Sequence, residues 1–311
     1  MDISVVIPVY GCRAALPELH RRLTDTLDRI CESYEIILVD DHCPQNSWEE
    51  IDRICDSDSR VTGIKLSRNF GQIRAITAGL DQSIGEWVVV MDCDLQDRPE
   101  NIEMLYKKAL EGYDVVLGRR KERKDSFFKM AVSKLFYKIY DYFTDGRFDS
   151  AISNFSIANR KVIDAYCSMR EQNRGYTLFL KWLGFDQVAI DLEADERFEG
   201  KSSYNLKRKL RFAFELITSQ SNKPLVFAVK IGFIVSFLAF IYIIGLVVKY
   251  LMGGVVVGWT TIVASIYLMG GLLLCTVGIV GIYVGNVFDE TKKRPIYVTS
   301  ICKNSHKEEE K

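Results

Sequence analysis

Charge of neither sign is in surplus: 41 lysines and arginines stand against 41 aspartates and glutamates in 311 residues. With no net positive field to attract phosphate backbones, a globally basic nucleic-acid binder is excluded. Histidine is scarce, three in all, and the eight cysteines include no C-x-x-C pair. Their spacings match no zinc-ligand set, so they read as small buried hydrophobes kept reduced in a cytosolic domain. No G-x-G-x-x-G follows the first apolar run, where Pro8-Val9-Tyr10-Gly11-Cys12 stands instead. That argues against a nicotinamide or flavin enzyme. The start, MDISVVIPVY, has neither a basic n-region nor a cleavage site, so it does not read as a signal peptide.

The balanced charge conceals segregation. Residues 1–118 carry 12 bases and 22 acids, residues 119–223 carry 21 bases and 14 acids, and residues 224–288 carry two lysines and no acid. Within that last stretch, 231–248 is an uninterrupted apolar run, and a second uncharged run extends from 259 to about 284. About 20 apolar residues cross a bilayer core, and soluble helices carry a polar stripe that these runs lack. Two transmembrane helices within 224–288 are therefore expected. Lys207, Arg208, Lys209, Arg211 and Lys223 precede the pair, and Lys292, Lys293 and Arg294 follow it. The connecting turn has no base, so the positive-inside rule puts both termini and the front section in the cytoplasm, as a multi-pass inner-membrane protein.

In the front section, Val- and Ile-rich runs at 3–9, 35–40, 61–67, 87–91 and 115–118 alternate with segments of helical period near 14–32, 46–56, 70–83 and 99–111. This pattern predicts an α/β domain with a parallel sheet covered on both faces, whose ligands sit at the carboxyl ends of the strands. The second strand ends in Asp40 and Asp41. The fourth runs into Asp92-Cys93-Asp94-Leu95-Gln96-Asp97. Carboxylates this close repel one another, and a divalent cation relieves that cost while using their oxygens as hard ligands. Asp97 also stands where it would cap the helix that Pro99 opens.

The series Pro8-Val9-Tyr10, Val39-Asp40-Asp41, Ser67-Arg68-Asn69-Phe70-Gly71, Asp92-Cys93-Asp94-Leu95-Gln96-Asp97 and Gly118-Arg119 resembles family 2 glycosyltransferases of the GT-A fold. Within that family it resembles polyprenyl-phosphate glycosyltransferases of the bactoprenol glucosyltransferase and dolichol-phosphate mannose synthase type, over nearly the whole chain. The resemblance implies a Rossmann-like, mostly parallel GT-A domain over 1–205, a basic juxtamembrane helix over 206–223, the two spans, and a cytoplasmic tail over 289–311. It implies a nucleotide-sugar donor, a UDP-sugar by preference, held by Pro8, Tyr10, Asp40, Asp41, Asn69, Gly71 and Asp92. Asp92, Asp94 and Gln96 would hold Mg²⁺ or Mn²⁺ against the diphosphate, and Asp92, Asp94 and Arg119 would carry the chemistry.

Residues 119–138 hold eight lysines and arginines, with Phe128, Val132, Leu135, Phe136, Ile139 and Phe143 at helical spacing. This basic amphipathic segment, 119–145, reads as a helix at the lipid surface or as one packing its stripe on the domain core. By the resemblance it lies at the bilayer and admits the polyprenyl chain, with Arg119 near the lipid phosphate. Arg197-Phe198-Glu199-Gly200-Lys201-Ser202-Ser203-Tyr204 resembles the family's R-x-x-G-x-S-K-Y loop, which makes Arg197, Lys201 and Ser202 the phosphate contacts.

The chain departs from the family in three places. Ser203 replaces that loop's lysine. Gly11-Cys12-Arg13 stands where relatives have an acid after P-V-Y-N. Asn154, near Asp149, occupies the position of a candidate catalytic base. An asparagine cannot take a proton as a base, which favours an acceptor phosphate over a sugar hydroxyl. The sequence thus reads as an inverting transferase acting on undecaprenyl phosphate, with a homo-oligomer and a flippase as further expected partners. Two alternatives stand beside it: transfer to a lipid-diphosphate-linked glycan, and a catalytically inactive membrane scaffold.

Overall fold

The computed structural model describes residues 1–120, 152–193, 195, 221–252 and 258–305. They fall into two units, taken in turn.

In the first unit the Val/Ile runs form β1 (Ile3–Val9), β2 (Tyr34–Asp40), β3 (Val61–Leu66), β4 (Trp87–Val90) and β5 (Val115–Arg120). Every residue of β1 and β2 is buried, as expected for strands covered on both faces. The helices between them are α1 (Leu16–Ile30), α2 (Ser47–Ser57), α3 (Gln72–Gln82) and α4 (Ile102–Ala109), the last preceded by a 3₁₀ turn over Pro99–Asn101. α1 opens on Pro17 and buries Leu16, Leu19, Leu23 and Leu27 along one stripe. α3 lies close on β1: a Cβ at Gly79 would stand 2.4 Å from Val6 Cγ1.

The elements beyond these did not come from the apolar runs, and only a helix from Arg160 was expected, by the resemblance. β6 (Ile152–Asn159), α5 (Arg160–Ser168), α6 (Tyr176–Trp182), β7 (Gln187–Leu192) and β8 (Thr299–Lys303) complete the unit. The sheet order is β7-β5-β6-β4-β1-β2-β3-β8. β1 pairs in parallel with β2 and β4, β2 with β3, and β5 with β7. β6 enters antiparallel between β4 and β5, and β8 runs antiparallel along β3. The sheet is therefore mixed.

The segment read as a C-terminal tail thus contributes a strand that covers the β3 edge. Lys303 pairs with Asp52 and Asp56, and Asn304 donates to the carbonyls of Cys55 and Val61. Just ahead of β8, Tyr297 donates to Asp81 at 2.7 Å, and the Val298 carbonyl accepts from the Ser67 N–H at 2.9 Å.

The second unit holds α7 (Lys223–Leu251) and α8 (Trp259–Thr291), of 29 and 33 residues, in contact with one another. At about 1.5 Å per residue either exceeds a hydrocarbon core of about 30 Å. Both are long and apolar enough to cross a membrane. Their large apolar side chains, among them Phe233, Tyr267 and Leu274, are exposed, which a helix of a soluble core would not allow.

Candidate active site

From β1 the chain passes to β2 and β3 on one side, then crosses to β4 on the other side of β1. The carboxyl ends of β1 and β4 therefore flank a topological switch point, where open α/β sheets bind ligands.

On the β4 side burial alternates residue by residue. Met91, Cys93, Leu95 and Asp97 are buried, whereas Asp92, Asp94 and Gln96 are part-exposed. The three oxygen-bearing candidates are thus the part-exposed positions of this loop. Leu95 has a left-handed backbone (φ 58°), turning the chain so that the Gln96 N–H donates to Asp94 Oδ1 at 3.1 Å. Burial, with Asp97 and Asp94 alongside, pushes the Asp92 carboxyl up to about 7. Gln72, at the start of α3, donates its amide to Asp92 Oδ1 at 2.7 Å.

This donor set fits a hard divalent cation. It offers two carboxylates and an amide oxygen, with a crowd of negative charge that a cation would relieve. Among the described residues no group of three or more His, Cys, Asp or Glu could hold a metal ion alone. A Mg²⁺-type site completed by waters and substrate phosphates needs only one or two carboxylates.

Asp97 is not the cap of the following helix. The guanidinium of Arg120 takes both its carboxylate oxygens and also donates to Gln96 Oε1 at 3.3 Å. Side chains alternate along β5, so its neighbour Arg119 instead pairs with Asp191 on β7. The structure thus brings Arg120, rather than Arg119, to the carboxylate cluster.

On the β1 side Pro8 is buried in the strand. Gly11 adopts φ +76°, a left-handed turn that leaves Tyr10 53% exposed while Cys12 is only 4% exposed. At the end of β2, Asp40 and Asp41 are both buried, and burial raises both carboxyls. Asp40 accepts the Cys43 N–H at 2.9 Å. Asp41 accepts the N–H groups of Phe70 at 2.7 Å and Gly71 at 2.9 Å. It therefore fixes the loop that carries exposed Asn69 into α3, with Gly71 at φ +94°.

β6 leads back to the same edge: it pairs Ser156 with Val90, and two residues further on stand Asn154 and Asp92. Arg197, Lys201, Ser202, Asp149, the basic segment over 121–145 and most of the juxtamembrane segment lie outside the described residues.

Two of the cysteines read as isolated buried thiols are brought together by the fold. Cys12 and Cys93 form a disulfide, their Cα atoms 6.2 Å apart, within the span a bridge allows. Residues 81 apart in sequence gave no signal of that proximity. Gln72 and Arg120 were likewise missed as members of the site, because their partners are brought close only by the fold.

Residues 4–167 match the model of glycosyl transferase family 2. The chain is 36% identical over 300 residues to the uncharacterized glycosyltransferase YkcC of Bacillus subtilis (strain 168), covering 96% of this chain and 93% of that protein. It is 32% identical to the undecaprenyl-phosphate 4-deoxy-4-formamido-L-arabinose transferase of Aeromonas hydrophila, covering 95% and 92% of the two chains. To the prophage bactoprenol glucosyl transferase homolog of Escherichia coli (strain K12) it is 30% identical, covering 96% and 98%. Among solved structures, glucosyl-3-phosphoglycerate synthase from Mycobacterium tuberculosis with Mg²⁺ and UDP matches with a TM-score of 0.50 at 18% identity, covering 70% of this chain and 77% of that one. That likeness concerns the fold, which is GT-A. With the family model spanning over half the chain and full-length relatives above 30% identity, this protein belongs to glycosyl transferase family 2.

Proposed function

We propose that the protein is an inverting, metal-dependent glycosyltransferase that moves one sugar from a nucleotide sugar, a UDP-sugar by preference, to undecaprenyl phosphate at the cytoplasmic face of the membrane. The observation that carries this reading is the part-exposure of Asp92, Asp94 and Gln96 in the loop at the switch point, with Tyr10 exposed on the β1 loop. Tyr10 would stack on the base, Asp40 would meet the ribose, and the β4 loop would receive the diphosphate. A bound Mg²⁺ or Mn²⁺ would supply Lewis-acid neutralisation of the charge on the departing nucleotide diphosphate. Two relatives are named for undecaprenyl phosphate or bactoprenol, and α7 and α8 suit a lipid-borne acceptor.

The acceptor phosphate is ionised near neutral pH, its second pKa lying near ~6 as for other phosphate monoesters. It therefore needs no base, which agrees with Asn154 at the strand edge. Attack by its oxygen on the anomeric carbon, opposite the leaving diphosphate, inverts the configuration. The cationic side chains Arg119, Arg197 and Lys201 would hold the two anions together.

The test is incubation of membranes containing the protein with labelled nucleotide sugars, undecaprenyl phosphate and Mn²⁺. Labelled lipid monophosphate-sugar is the expected product. Label appearing only on a lipid-diphosphate-linked glycan would overturn the acceptor assignment.

A further inference from the structure

A sulfur bridge joins the two walls of the switch point from the core side. On the β1 side Cys12 lies two residues beyond exposed Tyr10. On the β4 side Cys93 stands between Asp92 and Asp94. Both cysteines face inward, 4% and 6% exposed, within the same apolar core cluster. The β1 loop is also held from its other side, where Cys43 Sγ accepts the Gly11 N–H at 3.1 Å. The covalent path from Tyr10 to the carboxylates therefore runs through one S–S bond. No other disulfide is present among the described residues.

We propose that Cys12 and Cys93 are a reversible thiol–disulfide exchange site, with low-molecular-weight disulfides and thiols as co-substrates, whose oxidation weakens binding of divalent cation and nucleotide in the crevice. The proposal rests on the donor-site reading above. The bridge in the structure is the oxidised form, and a reducing compartment favours the dithiol. The Cys12 thiolate attacks a disulfide RSSR, forming a mixed disulfide and releasing one RS⁻. The Cys93 thiolate then displaces the second RS⁻ from the Cys12 sulfur. Two protein thiols lose two electrons and two protons, and RSSR gains them as two RSH. A small dithiol reverses the reaction.

The consequence for binding follows from where the bond lies. Oxidised, the backbone between Asp92 and Asp94 cannot move unless the Tyr10 loop moves with it. Reduced, each wall adjusts separately to a cation that demands oxygen ligands in near-octahedral array. Selectivity comes from placement: among the described residues Cys12 and Cys93 are the one pair whose sulfurs meet. Tyr10 and Ala14 on either side of Cys12 are exposed, so opening this short surface loop gives a small disulfide access.

The test uses the full chain in detergent, treated with oxidised glutathione or with dithiothreitol, then alkylated and mapped by mass spectrometry. Mn²⁺ binding by electron paramagnetic resonance and UDP binding by calorimetry are read in both states. The Cys12–Cys93 peptide pair should form and reverse, and the oxidised form should bind Mn²⁺ with UDP at least about fivefold more weakly. Cys12→Ser and Cys93→Ala should each bind alike under both treatments. Equal or tighter binding by the oxidised form, a response that persists in both variants, or failure of the pair to cross-link overturns the proposal. Absence of Mn²⁺ and UDP binding in either state, with circular dichroism unchanged, overturns the donor-site reading and the proposal with it.

Discussion

Both carboxylate oxygens of Asp97 lie within hydrogen-bond reach of one nitrogen of Arg120, Nη2, at 2.9 and 3.0 Å. The Asp97 side chain is only 4% exposed, and burial raises its carboxyl despite the adjacent guanidinium. In such a pair desolvation rivals attraction, and removing one partner strands a buried charge.

Arg120→Gln should therefore destabilise the protein by about 3–5 kcal/mol. Arg119→Gln breaks an ion pair with Asp191 whose side chains are both about half exposed, and should cost no more than about 1 kcal/mol. Urea unfolding of the two variants in detergent separates them. Equal losses would refute the assignment of Arg120 as the counter-ion of buried Asp97.

Asp41 should behave as a loop clamp. Both its oxygens accept main-chain donors, Phe70 and Gly71, and charge-assisted bonds of this kind are among the stronger ones. Asp41→Ala leaves two N–H groups without their acceptor, so stability should fall by about 1–3 kcal/mol. The donor KM should rise as the Asn69 loop loses its anchor. A KM for nucleotide sugar unchanged from wild type, measured on folded variant, would show that this loop does not serve the donor.

The metal reading predicts that Asp94→Asn lowers turnover by at least about 100-fold while leaving the melting temperature near that of wild type, since Asp94 is part-exposed. Chelation with EDTA should abolish transfer, and Mn²⁺ or Mg²⁺ should restore it. Full activity of the variant, or of the chelated enzyme, would exclude the carboxylate–cation site.

The strands that were legible, β1 to β5, are those with most positions buried. β1 and β2 are continuous apolar runs, because both of their faces are covered. β7 and β8 lie at the two sheet edges, β7 mostly partly covered and β8 mostly exposed, so QVAIDL and TSICK carry too little apolar bias to declare themselves. β6 is central yet begins Ile-Ser-Asn, polar because that end opens on the site. Within the site, Asp92, Asp94 and Gln96 were legible because acids directly after a buried strand need a reason. The engagement of Asp41 and the pairing of Asp97 were not, since their partners lie 29 and 23 residues away. Cys12 and Cys93 are a harder case still: each resides in a recognisable motif, but neither motif states that the two loops meet.

The last prediction concerns acid stability and uses a cluster outside the candidate site. Asp58, just after α2, accepts from Arg60 Nε and Nη2, both at 2.9 Å, and from the Arg60 N–H at 3.0 Å, with His20 Nε2 3.1 Å away. The Arg60 guanidinium foremost holds its carboxyl down to about 2, against the partial cost of burial. A carboxylate depressed on folding binds fewer protons in the native state than in the unfolded one. Its contribution is thus complete above the unfolded pKa of about 3.9 and disappears as pH falls from there toward 2. The shift corresponds to about 2 kcal/mol, because the side chain is largely shielded from solvent. Asp58→Asn should be less stable than wild type at pH 6 by about that amount, and the gap should narrow between pH 4 and pH 2.5. Melting temperatures of both proteins in detergent across that range provide the check. A gap that stays constant through the acid limb would show that the Asp58 carboxylate does not supply this stability.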